Sequence, residues 1–235
     1  MDIINYTTNT FFILIITKFY LISIYSLNVY MKNKEPFILK KPLIFYNIIQ
    51  ILLNIYMIQG LINLPVITFN HINIFGLNTK FNDNLKYFTY IHYLSKFLDY
   101  FDTWFIILKK KHNQLSFLHI YHHSSIAIIW ASLINIGIGN GTVSFGCLIN
   151  SFIHFLMYSH YLWTSFGYNN PFKKYITQCQ IGQFYICFIH SILVFVYETN
   201  FPSYYALIQL NYQIQMIFLF SNFYIKTYEK SKISN

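Results

Sequence analysis

Seven apolar runs succeed one another along the chain, each long enough to cross about 30 Å of hydrocarbon as a helix. They cover residues 10–31, 43–64, 87–108, 115–138, 143–163, 175–196 and 204–225. Between them lie short polar stretches, among them the asparagine-rich residues 78–84, which read as loop. The first run contains Lys18, whose aliphatic stem lets its ammonium reach the nearer interface. That run has no basic flank in front of it and no small-residue cleavage site before Met31, so an uncleaved span is expected rather than a secretory signal. The pattern predicts an all-α, polytopic membrane protein: seven transmembrane helices in a single bundle over residues 1–235.

Composition agrees with this. The 235 residues are 55% hydrophobic and only 10% charged, which is too apolar for a soluble domain and offers nothing to a nucleic acid. All 16 basic residues are lysine, a bias that AT-rich coding explains without a functional demand. Cys147, Cys179 and Cys187 form no C-x-x-C pair, so they read as small hydrophobes rather than a disulfide framework or a zinc site.

Lysine positions then orient the bundle. Lys32, Lys34, Lys40 and Lys41 fall between runs one and two, and Lys109, Lys110 and Lys111 between three and four. Lys173 and Lys174 fall between five and six; Lys226, Lys230 and Lys232 follow the seventh. These 12 lysines share one side, against Lys80 and Lys86 on the other. By the positive-inside rule the lysine-rich loops and the C-terminus are cytosolic, with the N-terminus lumenal or exoplasmic.

The polar residues inside the runs carry the chemistry. Run four opens with His119, His122 and His123, spaced i, i+3, i+4, which sets three imidazoles on one helical face within reach of a common substrate or metal. Run three holds Lys96, Asp99, Asp102 and Thr103, each ion costing about 2.5–3.5 kcal/mol at the bilayer centre. A self-neutralising structural pair and a carboxylate that orients a histidine on a neighbouring helix both fit this stripe. Run five aligns Asn150, His154 and Tyr158 at four-residue spacing, where an interhelical hydrogen-bond donor and a reacting imidazole are the alternatives. Run six begins with Thr177, Gln180 and Gln183, spaced by three.

The stripes of runs three, four and six share the cytosolic half and can line one cavity open to the cytosol. Lys109–Lys111 and Lys173–Lys174 would rim its mouth, as topology anchors or as partners of a phosphorylated headgroup. A deep tunnel lined by Phe, Tyr, Ile and Leu behind those polar groups suits a long acyl chain.

In this order the motifs resemble the membrane-embedded fatty acid elongases of the ELO type, the 3-oxoacyl-CoA synthases of the endoplasmic reticulum. Residues 31–40 with Tyr46 and Asn47 are similar to the first cytosolic loop of that family. Lys96-x-x-Asp99-x-x-Asp102-Thr103 is similar to its K-x-x-E-x-x-D-T element. Leu118-His119-x-x-His122-His123, followed by Trp130, resembles its histidine box. Asn150-Ser151-x-x-His154-x-x-Met157-Tyr158 and Thr177-x-x-Gln180-x-x-Gln183-Phe184 complete the set, which covers roughly residues 20–226. Two positions depart from the family pattern: Asp99 stands where Glu is usual, and His160 where Tyr is usual.

The resemblance implies a decarboxylative condensation of long-chain acyl-CoA with malonyl-CoA, giving 3-oxoacyl-CoA, CO2 and CoA, with no metal or redox cofactor. It implies catalytic roles for His119, His122, His123, His154, Asp99 and Asp102. On this reading His122 attacks the thioester and His154 faces it, His119 and His123 move protons or polarise the carbonyl, and Asp99 or Asp102 fixes imidazole tautomers. Substrate contacts are implied for Lys96, Thr103, Lys109, Lys110, Lys111, Asn150, Tyr158, Lys173, Lys174, Thr177, Gln180 and Gln183. Implied partners are the ketoacyl-CoA reductase, dehydratase and enoyl-CoA reductase of the cycle, in the endoplasmic reticulum membrane; oligomeric state stays open, a homodimer included.

Two other readings compete. A membrane di-iron desaturase or hydroxylase also uses an H-x-x-H-H box, but it needs further clustered histidines. His71, His92, His112, His154, His160 and His190 supply neither a second box nor an H-x-x-x-H pair. A seven-helix receptor fits the topology and leaves the histidine box unexplained.

Overall fold

Helices account for every regular element in the computed structural model, which describes residues 3–62, 76–79, 82–137, 141–199 and 201–229. In chain order the α-helices are α1 (Ile3–Thr7), α2 (Thr10–Met31), α3 (Lys40–Ile62), α4 (Asp83–Leu98), α5 (Tyr100–Leu108), α6 (Phe117–Asn135), α7 (Ser144–Ser165), α8 (Lys173–Tyr197) and α9 (Ser203–Tyr224). Residues 63–64 and 138, at the ends of two expected spans, and His71, Lys80, Lys230 and Lys232 lie outside the described residues.

Local chemistry sets the helix ends. The side chains of Asn9, Asn82 and Ser116 accept hydrogen bonds from the backbone N–H groups of Phe11, Asn84 and His119, capping α2, α4 and α6. Pro42 sits in the first turn of α3, where its missing N–H breaks no ladder bond. Gly137 and Gly167, with φ of 81° and 98°, stop α6 and α7 in a conformation that a Cβ would strain.

Among the described residues five helical segments are long and apolar enough to cross a membrane: α2, α3, α6, Gly141–Ser165 and α8. An all-helical chain with five such segments fits a polytopic membrane protein. The run expected at 87–108 is instead divided at Asp99 into α4 and α5. There Asp102 N donates to Asp99 O at 3.2 Å, a tighter i→i+3 step, beside the ion pair that Asp99 makes with Lys96. The seventh run forms α9, whose Gln209, Asn211, Gln213 and Gln215 keep it less apolar than the five. Tyr46 and Asn47, compared above with a cytosolic loop, are in α3 and are buried.

The chain gathers into two units. The first comprises residues 1–43 and 82–140. In it α2 packs on α5 and α6, and α4 packs on α6. Its core joins Tyr20, Ile24, Met31, Tyr100 and Ile107. Tyr20 and Tyr100 stack with ring centroids 4.0 Å apart, and Trp104 Nε1 donates to Ser23 Oγ at 2.8 Å, locking α5 against α2.

The second unit comprises residues 44–81 and 141–235. Here α8 packs along α9 and against α7. The link from α3 to α7 is polar: Asn47 Nδ2 donates to Ser165 Oγ at 3.3 Å, and Ser151 Oγ approaches Met57 Sδ at 3.9 Å. At one end the Glu198 carboxylate accepts from Asn78 N and from the Thr142 hydroxyl, tying the residue after α8 to the turn before α7.

Candidate active site

In the first unit the histidine box is built on the opening turns of α6. Ser116 caps this helix, so the register of the next residues is set from its first turn, and His119, His122 and His123 fall together as spacing requires. The His119 and His123 rings lie 4.3 Å apart between centroids, and those of His122 and His123 lie 5.6 Å apart at near right angles. His123 is buried, while His119 and His122 are half-buried.

The α4–α5 junction supplies the polar groups beside them. Thr103 Oγ1 lies 2.8 Å from His119 Nε2 and 2.8 Å from the Tyr20 hydroxyl of α2. Lys96 Nζ and Asp99 Oδ2 pair at 3.4 Å, each 3% exposed, and Asp102 is half-buried one turn further on. Of the Lys96–Thr103 stripe, Thr103 reaches the histidine box, and its hydroxyl, read above as a substrate contact, is engaged by two protein groups.

The three lysines after α5 close the helix. Lys111 N donates to Ile106 O and Lys110 N to Ile107 O, both at 2.9 Å, a paired C-terminal motif that places Lys110 at φ 53°. Lys110 Nζ also donates to Lys32 O at 3.3 Å, and Phe37 N donates to Leu108 O at 2.9 Å. These contacts fasten the segment after α2 to the end of α5.

The second unit carries its own polar cluster. Gln50 Nε2 donates to the hydroxyls of Tyr46 at 2.9 Å and Tyr158 at 3.2 Å, and those hydroxyls are 3.3 Å apart. Asn54 Nδ2 donates back to Gln50 O at 2.7 Å. His154 is buried on the same helix as Tyr158, with their ring centroids 5.8 Å apart. Asn150 Nδ2 reaches Gln183 Oε1 at 3.5 Å, and Gln180 Nε2 lies 3.5 Å from Met157 Sδ, so the stripes of α7 and α8 face each other. Thr177 Oγ1 lies 3.5 Å from the Tyr228 hydroxyl, and Lys173 and Lys174 are exposed, the latter over the Tyr175 ring. His160 Nδ1 lies 2.7 Å from Asn170 Nδ2, and Asn170 Oδ1 accepts from Phe172 N, which joins this unusual histidine to the start of α8.

Four participants, three on α3 and one on α2, escape a reading of the stripes alone. Asn47, Gln50 and Asn54, at i, i+3 and i+7, trace one face of α3, a signal present in the apolar run itself. Tyr20 gives no such signal, because an aromatic residue in an aromatic-rich span resembles its neighbours. Among the described residues, no group of three or more His, Cys, Asp or Glu side chains is arranged to hold a metal ion.

Comparison with known proteins gives this geometry a context. Residues 5–235 match the model of the ELO family, described as the GNS1/SUR4 family. The chain is 45% identical over 213 residues to fatty acid elongase 5 of Leishmania major, covering 91% of this chain and 84% of that one. It is 43% identical over 208 residues to fatty acid elongase 4 of Trypanosoma brucei brucei, covering 88% and 81%. Against very long chain fatty acid elongase 5 of Homo sapiens the identity is 37% over 212 residues, covering 87% and 70%.

Proposed function

The chain belongs to the ELO family, and we propose that it is a fatty acid elongase acting as a 3-oxoacyl-CoA synthase on long-chain acyl-CoA and malonyl-CoA. The observation that carries this reading is the histidine box itself, three rings gathered on α6 with one of them tied through Thr103 to α2 and α5.

The chemistry balances without an external oxidant. A ring nitrogen of His122 adds to the acyl thioester and expels CoA, forming an acyl-imidazole. Malonyl-CoA then loses CO2, and the electron pair left on its α-carbon attacks the acyl carbonyl. That attack breaks the bond to the imidazole and releases a 3-oxoacyl-CoA two carbons longer; a proton taken up from solvent accounts for the CoA thiol. His123 and His154 are assigned to proton movement, and Asp99 and Asp102 to holding imidazoles in place. Lys109–Lys111 and Lys173–Lys174 are assigned to the phosphates of CoA, and the reaction asks for no resident metal or redox group. In the cell the protein would occupy the endoplasmic reticulum membrane as seven spans around an acyl tunnel. It would work there with the reductases and dehydratase that complete the cycle.

The test is incubation of membranes containing the protein with labelled malonyl-CoA and a series of acyl-CoA primers. Labelled 3-oxoacyl-CoA above the level of control membranes is expected, and its absence from correctly inserted protein would overturn the reading. His122→Ala should lower the rate by at least about 100-fold. Condensation at the wild-type rate in that variant would remove His122 from the nucleophile's role.

A further inference from the structure

Tyr20 lies in α2, far in sequence from the histidine box, yet it is fully buried and its hydroxyl points to the one threonine that touches His119. Thr103 is equally buried, so the two hydroxyls are shielded from water and end on the ring nitrogen of half-buried His119 in a short relay. Its two 2.8 Å steps are within the range of well-formed hydrogen bonds.

Each hydroxyl has a single proton to give, and this determines the direction of the relay. If His119 Nε2 carried the proton, it would donate to Thr103, and one hydroxyl proton would need an acceptor beyond: that of Tyr20 if Thr103 donates to it, or that of Thr103 if Tyr20 donates to it. Among the described residues Tyr20 and Thr103 have no hydrogen-bond partner beyond this relay, and burial makes an unmatched O–H costly. In the opposite direction every proton is placed: Tyr20 donates to Thr103, and Thr103 donates to His119 Nε2. The stack of Tyr20 on Tyr100 and the neighbouring Trp104–Ser23 bond hold the tyrosine in this pose.

We infer that Tyr20 is a positioning residue that acts through Thr103 to keep neutral His119 in the Nδ1–H tautomer, so that His119 serves the reaction as a hydrogen-bond donor and not as a base through Nε2. Among the described residues Nδ1 has no hydrogen-bond partner, leaving its N–H available to a developing negative charge on the acyl or malonyl carbonyl oxygen. The donor's part in condensation rests on the elongase reading; the tautomer does not.

Two measurements on the full-length, membrane-inserted protein test this. Tyr20→Phe keeps the ring and its stack but removes the proton source, and it should lower kcat about tenfold with KM for both CoA esters changed less than about twofold. Thr103→Val should lower kcat at least as far, Thr103→Ser should keep most of it, and the double variant should be no slower than Thr103→Val alone. Wild-type kcat in Tyr20→Phe, or losses that multiply in the double variant, would overturn the relay. Separately, ring-nitrogen NMR of protein labelled with 15N-histidine reads the tautomer, with His119 assigned by its loss in His119→Gln. A protonated Nδ1 and an accepting Nε2 are expected; a protonated Nε2 in the wild-type protein overturns the inference whether or not Tyr20→Phe folds. Absence of condensation in wild-type membranes would remove the elongase reading alone, with the NMR result still deciding the tautomer.

Discussion

Lys96 and Asp99 are each 3% exposed and 3.4 Å apart, so neither charge can turn to water if the other is lost. A buried pair contributes little over an apolar replacement, but removing one member is severe because the remaining charge must be desolvated without its partner. Asp99→Asn should therefore lower unfolding free energy by about 3–5 kcal/mol, measured by chemical unfolding in mixed micelles. Lys96→Met combined with Asp99→Leu should recover most of that loss. If the single and double variants were equally destabilised, the pair would not be what holds the α4–α5 junction. Asp99→Glu, which installs the residue usual in the family, keeps the charge and should stay close to the wild type in this measurement.

At the scale of elements, the apolar runs and the helices largely coincide because a chain in hydrocarbon must satisfy its backbone internally, and the helix does so locally. Breaks are less legible. The division at Asp99 shows in a backbone step, Asp102 N donating to Asp99 O, and side-chain spacing alone permits either an unbroken helix or two. The histidine box was legible because i, i+3, i+4 spacing survives in any helix; the Tyr20 end of the link through Thr103 was not, because Tyr20 comes from another element. The turn entering α7 shows a constraint that spacing also misses. Gly141 has φ 65°, and a Cβ there would lie 2.6 Å from Thr79 O, a backbone atom that cannot swing aside. Gly141→Ala should cost about 1–3 kcal/mol in the same unfolding assay, whereas Gly182→Ala, with open space around its Cβ position, should cost nothing measurable. Equal effects at the two positions would show that the close approach to Thr79 is not limiting.

For the whole molecule, the unequal distribution of lysines makes orientation a question of counting crossings. Helices α4 and α5 together run from Asp83 to Leu108, about 39 Å if nearly straight, enough to cross once despite the break at Asp99. If they do cross, two crossings separate Lys34 from Asn113, and five separate Lys34 from Ser203. In a variant with Cys147, Cys179 and Cys187 replaced by alanine, single cysteines at these three exposed positions can report sidedness in sealed microsomes. Lys34→Cys and Asn113→Cys should react with a membrane-impermeant maleimide added outside, and Ser203→Cys only after permeabilisation. Reaction at Ser203 alone would invert the proposed orientation. Lys34 and Ser203 reacting while Asn113 stays protected would mean that α4 and α5 do not cross, which would put the start of α6, and with it the histidine box, on the lumenal side. Cytosolic CoA esters could not reach the box there, so the labelling pattern at Asn113 bears directly on whether the condensation can occur at α6.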